Sequence, residues 1–312
     1  MTRGSLRWLR RTALTVVPVV VGVVLATFFL LRLVPGGPAA AILGDQATDQ
    51  AVADLEAELG LDRPLLAQLW SFVVSVVVHG DSGTSLLYGV PTRDLIVDRV
   101  GVTLEIVALS VVLTVLLVVP LALLAALHKD RLVDHVVRVV PAVGLAMPTF
   151  WVGLLLILVF AVNLGWLPAG GGDQGLRSLV LPAAAVAVSL TPVLVRTLRA
   201  QLLEVLDADF VATLTAAGLP RHRVLAHVLR NAALPTVTLF GLNIAYMIGG
   251  TLVVERVFAI NGLGALMFDS IGSRDFPVVQ GVALFCAVLV VLVTVLTDLV
   301  VNRLDPRTRV LA

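Results

Sequence analysis

The chain is poor in charge, with Asp, Glu, Lys and Arg making up 14% of its 312 residues. Soluble domains carry roughly 25%, so this chain has too little charge to coat a water-soluble globule of its length. It has one cysteine, Cys286, which excludes an internal disulfide and a thiolate metal cluster; within its apolar run Cys286 reads as a small buried or lipid-facing residue. The net charge of +1 gives no sign of a nucleic-acid partner. No G-x-x-x-x-G-K-[ST] phosphate loop occurs, and no H-E-x-x-H, so the chain has neither of these nucleotide or zinc signatures. Internal repeats, low-complexity tracts, a charge at the centre of an apolar run and a defensible metal site among the five histidines are all missing. Nor is there a constellation of paired carboxylates or His/Glu ligands of the kind a membrane enzyme needs.

What is abundant is apolar side chain: 59% of the residues, with a mean hydropathy of +1.03. A bilayer core takes roughly 20 apolar residues in helical form. Stretches of that kind run over Ala13–Leu31, Ile106–Leu127, Val139–Trp166, Ser178–Val195, Asn231–Val254 and Phe276–Thr297. The expected fold class is an all-α membrane protein with about six transmembrane helices in a single domain, 1–312. The first stretch is longer than a signal-peptide core and lacks an obvious A-x-A cleavage site, so it is expected to be a retained helix. Prolines 18, 120, 141, 148, 182, 192 and 235 fall in or beside these runs, where neighbouring helices can satisfy the freed carbonyls.

Charge placement sets an orientation. Arg3, Arg7, Arg10 and Arg11, then Lys129, Arg131 and Arg138, then Arg196, Arg199, Arg221, Arg223 and Arg230, then Arg303, Arg307 and Arg309 all fall on one side of a six-span chain. Asp45, Asp49, Asp54, Glu56, Glu58, Asp62, Asp81, Asp94 and Asp98 fall on the other. The basic side is expected to be cytoplasmic, with both termini inside. An external segment, about 33–100, contains Val52, Leu55 and Leu59 at helical spacing and predicts a short amphipathic helix. A cytoplasmic segment, about 199–234, predicts a helix begun near Asp207-Ala208-Asp209, broken at Gly218-Leu219-Pro220, and followed by a basic helix over 221–231, with Pro235 opening the fifth span. An exposed short helix ended by glycine suits a groove on a partner; it equally suits a plain connection between spans with Gly218 as an ordinary cap.

The segment DFVATLTAAGLPRHRVLAHVLRNAALP, Asp209–Pro235, resembles the cytoplasmic coupling loop of binding-protein-dependent ABC importer permeases, in the form found in the dipeptide/oligopeptide/nickel family. Further pieces fit that family in order: LLRLVPGGPA (30–39), ELGLDRPL (58–65), GDSGTS (80–85), MPTFWVGLLLILVF (147–160), GGTLVVERVFAINGLGALMFDSIGSRDFPVVQG (249–281) and DPR (305–307). The chain departs from the pattern at Ala217, where a basic residue is frequent, at Ala212, near the place of the motif's glutamate, and at Asn261, where proline is common.

The resemblance implies a type I ABC importer permease architecture in the bacterial inner membrane. It implies a second homologous permease chain, two P-loop ATPase chains or domains that bind ATP and Mg, and an extracytoplasmic solute-binding protein. This chain itself would be non-catalytic, with no bound cofactor or metal and no nucleic acid. Asp209–Leu219 would be the coupling helix, with Asp209, Phe210, Thr213, Ala216, Ala217, Gly218, Leu219 and Arg223 facing the ATPase. For Arg221, Arg223 and Arg230, contact with acidic surface or headgroups stands beside simple positive-inside topology. Ser189, Thr191 and Asn243 would lie near the translocation path or make helix–helix hydrogen bonds. Glu255 and Arg256 would form an outer gate or docking surface, or a mutual ion pair. His227 reads as structural. Di- or oligopeptides are the implied cargo; nickel or another small solute, or an ion-coupled secondary transporter, are the competing readings.

Overall fold

A computed structural model describes residues 17–29, 37–43, 48–58, 60–171 and 175–304. The N-terminal arginines, Pro35-Gly36, Asp45, Leu59 and the C-terminal Asp305-Pro306-Arg307 with Arg309 lie outside these residues. Among the described residues twelve helices follow in order. They are α1 (Val17–Phe29), α2 (Gly37–Leu43), α3 (Asp49–Glu58), α4 (Leu65–His79), α5 (Thr92–Leu127), α6 (Leu132–Leu145), α7 (Thr149–Asn163), α8 (Leu176–Leu206), α9 (Asp209–Ala216), α10 (Arg221–Val257), α11 (Leu263–Gly272) and α12 (Phe276–Leu304). Helices α5, α8, α10 and α12 are long and apolar enough to cross a bilayer, and the first and third expected spans appear as the shorter apolar helices α1 and α7. The all-α expectation of about six spans therefore holds.

Three boundaries differ from the sequence expectation. The third span is not continuous: α6 stops at Leu145 and α7 starts after Pro148. Proline cannot donate a hydrogen bond and pushes the residue before it out of helical geometry. In contrast, Pro235 does not open the fifth span but lies inside α10, which runs unbroken from Arg221. The residues before it are fastened by packing, with Val224, Val228 and Ala232 buried, and that outweighs the hydrogen bond proline removes. The second span begins far earlier than Ile106, at Thr92. The amphipathic helix expected around Val52 and Leu55 is α3, capped by the Thr48 hydroxyl, which accepts from Ala51 N–H at 3.3 Å.

The chain forms two compact units. One comprises 1–103 and 261–291, and the other 104–260 and 292–312. In the second unit α8 is the hub, packed against α6, α7 and α10, and 67% of its most apolar stretch is buried against 33% for α10. Its core joins Val118, Ala122, Ala125 and Ala126 of α5 to Val137 of α6, to Leu194, Leu198 and Leu202 of α8, and to Val224, Val228 and Ala232 of α10. Alanines at these positions let helix backbones approach closely, the usual way membrane helices pack. Buried hydroxyls in α5 are satisfied within the helix: Ser110 donates to the Ile106 carbonyl and Thr114 to the Ser110 carbonyl, both at 2.7 Å. Apolar side chains such as Val112, Leu116, Leu292 and Leu296 remain exposed, as befits helices that meet lipid or another membrane chain.

The loop after α7 is pinned to the end of α10. Gly171 N–H donates to the Phe258 carbonyl at 2.9 Å. A Cβ at Gly170 would lie 2.1 Å from that same oxygen. Gly170→Ala must therefore push two backbones apart and is expected to cost about 3 kcal/mol through overpacking and a weakened hydrogen bond. It should lower the thermal unfolding midpoint in detergent, whereas Gly249→Ala, whose Cβ meets nothing within 4 Å, should not. An unchanged midpoint for Gly170→Ala would contradict this packing.

Candidate functional site

Helix α9 follows α8 after only Asp207 and Ala208. It has no side-chain cap, but Asp209 supplies a negative charge to its first turn, where the helix dipole favours it. Its far end closes as a Schellman motif. Gly218 adopts φ +78°, Gly218 N–H donates to the Thr215 carbonyl at 3.0 Å, and Leu219 N–H donates to the Leu214 carbonyl at 3.2 Å. The left-handed turn at Gly218 carries little penalty because glycine lacks a Cβ.

One face of α9 is anchored. Val211, Leu214 and Leu219 pack against the core shared by α8 and α10. The opposite face is solvent-exposed and built of small residues: Ala212, Thr213, Ala216, Ala217 and Gly218, with Asp209 and Phe210 at one end. Thr213 spends its hydroxyl on the Asp209 carbonyl at 3.0 Å. Arg221, His222 and Arg223 are exposed at the start of α10. Seven of the eight residues expected to face a partner, Asp209, Phe210, Thr213, Ala216, Ala217, Gly218 and Arg223, thus share an exposed position. Leu219 is half-buried and closes the turn.

The residues expected near the path, Ser189, Thr191 and Asn243, lie within α8 and α10. Thr191 and Asn243 are buried and Ser189 is half-buried. Each bonds to its own helix: Ser189 to the Ala185 carbonyl at 2.9 Å, Thr191 to Ala187 at 2.8 Å and Asn243 to Leu239 at 2.8 Å. At the end of α10 Glu255 is fully buried and Arg256 is exposed. His227 is exposed, and its carbonyl accepts from the Asn231 amide at 2.8 Å.

Two carboxylate centres escaped the sequence reading. In the second unit Asp134, at the start of α6, has no exposed side-chain surface. Arg199 of α8 grips it with two hydrogen bonds, Nε to Oδ1 and Nη2 to Oδ2, both 2.6 Å. Asp130 N–H adds a third at 3.0 Å, and Arg138 stands 3.6 Å away. The Arg199 guanidinium beside Asp134 holds its carboxyl down at about 2, so the pair stays ionised at neutral pH. In the first unit Asp275, fully buried between α11 and α12, accepts from the Ser85 hydroxyl and from Leu86 and Leu87 N–H, each at 3.2 Å. Nearby, Asp81 Oδ1 accepts from the Thr92 hydroxyl, from Gly83 N–H at 3.2 Å and from Arg93 N–H at 3.3 Å. Ser82 donates to the Pro277 carbonyl at 2.8 Å. The GDSGTS stretch is thereby tied to RDFP. No local pattern announces either centre, since the partners are 65 and 190 residues apart.

The comparisons with known proteins agree with this architecture. Residues 118–310 match the family described as binding-protein-dependent transport system inner membrane component. Residues 5–106 match the N-terminal part of a binding-protein-dependent transport system membrane component. A probable peptide ABC transporter permease protein of Sinorhizobium fredii is 38% identical over 310 residues, covering 96% of this chain and 98% of the relative. The dipeptide transport system permease protein of Alkalihalophilus pseudofirmus is 31% identical over 332 residues, 97% and 99% of the two chains. The glutathione transport system permease protein of Salmonella choleraesuis is 34% identical over 305 residues, again 97% and 99%. With family matches over both halves and relatives spanning nearly its whole length, the chain belongs to the binding-protein-dependent transport system inner membrane components, a family of type I importer permeases.

Proposed function

We propose that this chain is the permease subunit of an ATP-binding cassette importer that takes up di- or oligopeptides. It forms the pathway with a second homologous permease and is driven by ATP hydrolysis on separate P-loop ATPases, which hold the ATP and Mg. A solute-binding protein delivers cargo from outside. The chain is non-catalytic, works as one permease domain over 1–312, and keeps both termini in the cytoplasm. The observation that carries this reading is α9, a short helix with its apolar face half-buried against the bundle core and a small-residue face left open beside Arg221 and Arg223. Such a helix can seat against a partner and transmit its displacement to α8 and α10 without any active-site chemistry of its own. The relatives' names, which speak of peptide, dipeptide and glutathione, favour a peptide cargo.

The test is a mild-detergent purification of the tagged chain from its native membrane, followed by reconstitution with its binding protein and labelled peptides. Co-purification of a second permease and P-loop ATPases, with peptide uptake that requires ATP, is expected. Uptake that persists without ATP and follows an ion gradient would overturn the reading, as would an ATP-driven complex that takes up only metal ions.

A further inference from the structure

We infer that the Asp134–Arg199 pair is the positioning element that carries movement of α9 and α8 to α6; this rests on the importer reading above. Among the described side chains of 132–139, only Asp134 and Val137 are buried, while Leu132, Val133, Val136 and Val139 are exposed. Helix α6 is therefore held at this end by one valine and one ion pair. The grip on α8 is rigid: both carboxylate oxygens are used, both bonds are 2.6 Å, and the guanidinium side chain is 15% exposed. A planar fork on a carboxylate fixes direction as well as distance, which a lysine cannot do. Asp130 N–H binds the same carboxylate, so the turn between α5 and α6 is held in the same clasp.

The clasp also stands where displacement would arrive. Arg199 is flanked on α8 by Leu198 and Leu202, which are buried in the core that receives Val211 and Leu214 of α9. A push on α9, which packs mainly on α10, thus enters the apolar core that contains Leu198 and Leu202 and reaches α6 through the neighbouring arginine. Stability alone is a poor reason for such a pair, because a buried ion pair repays its desolvation only in part, and apolar side chains of similar size can replace it without loss. What apolar replacement removes is the directional link.

The experiment uses the complete reconstituted importer and compares wild type with Arg199→Lys and with the double variant Asp134→Leu/Arg199→Met. The readouts are subunit assembly, ATP hydrolysis and solute transported per ATP. The double variant is expected to assemble and hydrolyse ATP, while solute per ATP falls by about tenfold, within the range typical of coupling between sites. Arg199→Lys, which keeps the charge and loses the fork, should fall between. Wild-type solute per ATP in the double variant would overturn the inference. So would assembly failure in both variants, or uptake and hydrolysis falling in equal proportion, since those mark a purely structural pair. A wild-type complex without ATP-driven uptake would instead overturn the importer reading itself, and this inference with it.

Discussion

Gly218→Arg is expected to abolish ATP-driven uptake while leaving the protein inserted and folded. The residue lies at φ +78° on the exposed end of α9, and a Cβ there meets nothing within 4 Å. The fold therefore has room for a side chain. It would lose only the cost of holding an L-residue in the left-handed region, about 1 kcal/mol. Docking has no such room. A small-residue face allows close backbone approach, and a long cationic side chain at its tip would hold the partner off. A 100-fold loss of uptake corresponds to about 2.7 kcal/mol of lost docking energy. Gly218→Ala separates the two effects, since it carries the same backbone strain without the bulk, and it should retain most uptake. Quantifying the variant in the membrane fraction beside an ATP-driven uptake assay checks both halves. Normal uptake by Gly218→Arg, or equal losses for arginine and alanine, would remove α9 from the coupling role.

Asp275→Ala is expected to loosen the loop over Ser85–Val90 without disturbing the second unit. The carboxylate is buried and accepts from Ser85, Leu86 and Leu87. Hydrogen bonds to a charged acceptor contribute about 1.5–3 kcal/mol each, and alanine removes the one acceptor that Ser85, Leu86 and Leu87 share. Asn at this position would restore only part of the pattern, because its NH2 group would face a backbone donor. Hydrogen exchange at the Leu86 and Leu87 amides should accelerate by about 100-fold, the factor that about 2.7 kcal/mol of lost local stability gives. Unchanged exchange at these two amides would show that other contacts hold the loop.

The sequence made the span count legible because an apolar run long enough to cross a bilayer needs no partner to identify it. It also made α9 legible as a helix, since Asp209 and Gly218 are local signals of its two ends, but not the face it anchors, Val211, Leu214 and Leu219. Proline was read less well. Pro148 and Pro235 look alike in sequence, yet one opens a helix and the other lies within one. The difference is the packing of Val224, Val228 and Ala232, which no local window contains. Arg199 counted only as one more cytoplasmic cation, because its partner Asp134 lies 65 residues away. The tie between Ser85 and Asp275 spans 190 residues, and neither end has a distinctive local signature.

On the importer reading, the small-residue face of α9 touches an ATPase. Cys286 is the chain's one cysteine, so Cys286→Ser gives a clean background for Ala217→Cys. A short photo-activated crosslinker attached there, in native membranes, is predicted to yield a conjugate whose second component carries a P-loop nucleotide motif. The same reagent at Leu242→Cys, on the exposed side of α10 within the apolar span, should not. Reaction of Ala217→Cys only with lipid or solvent, or equal capture of the ATPase from both positions, would contradict the account.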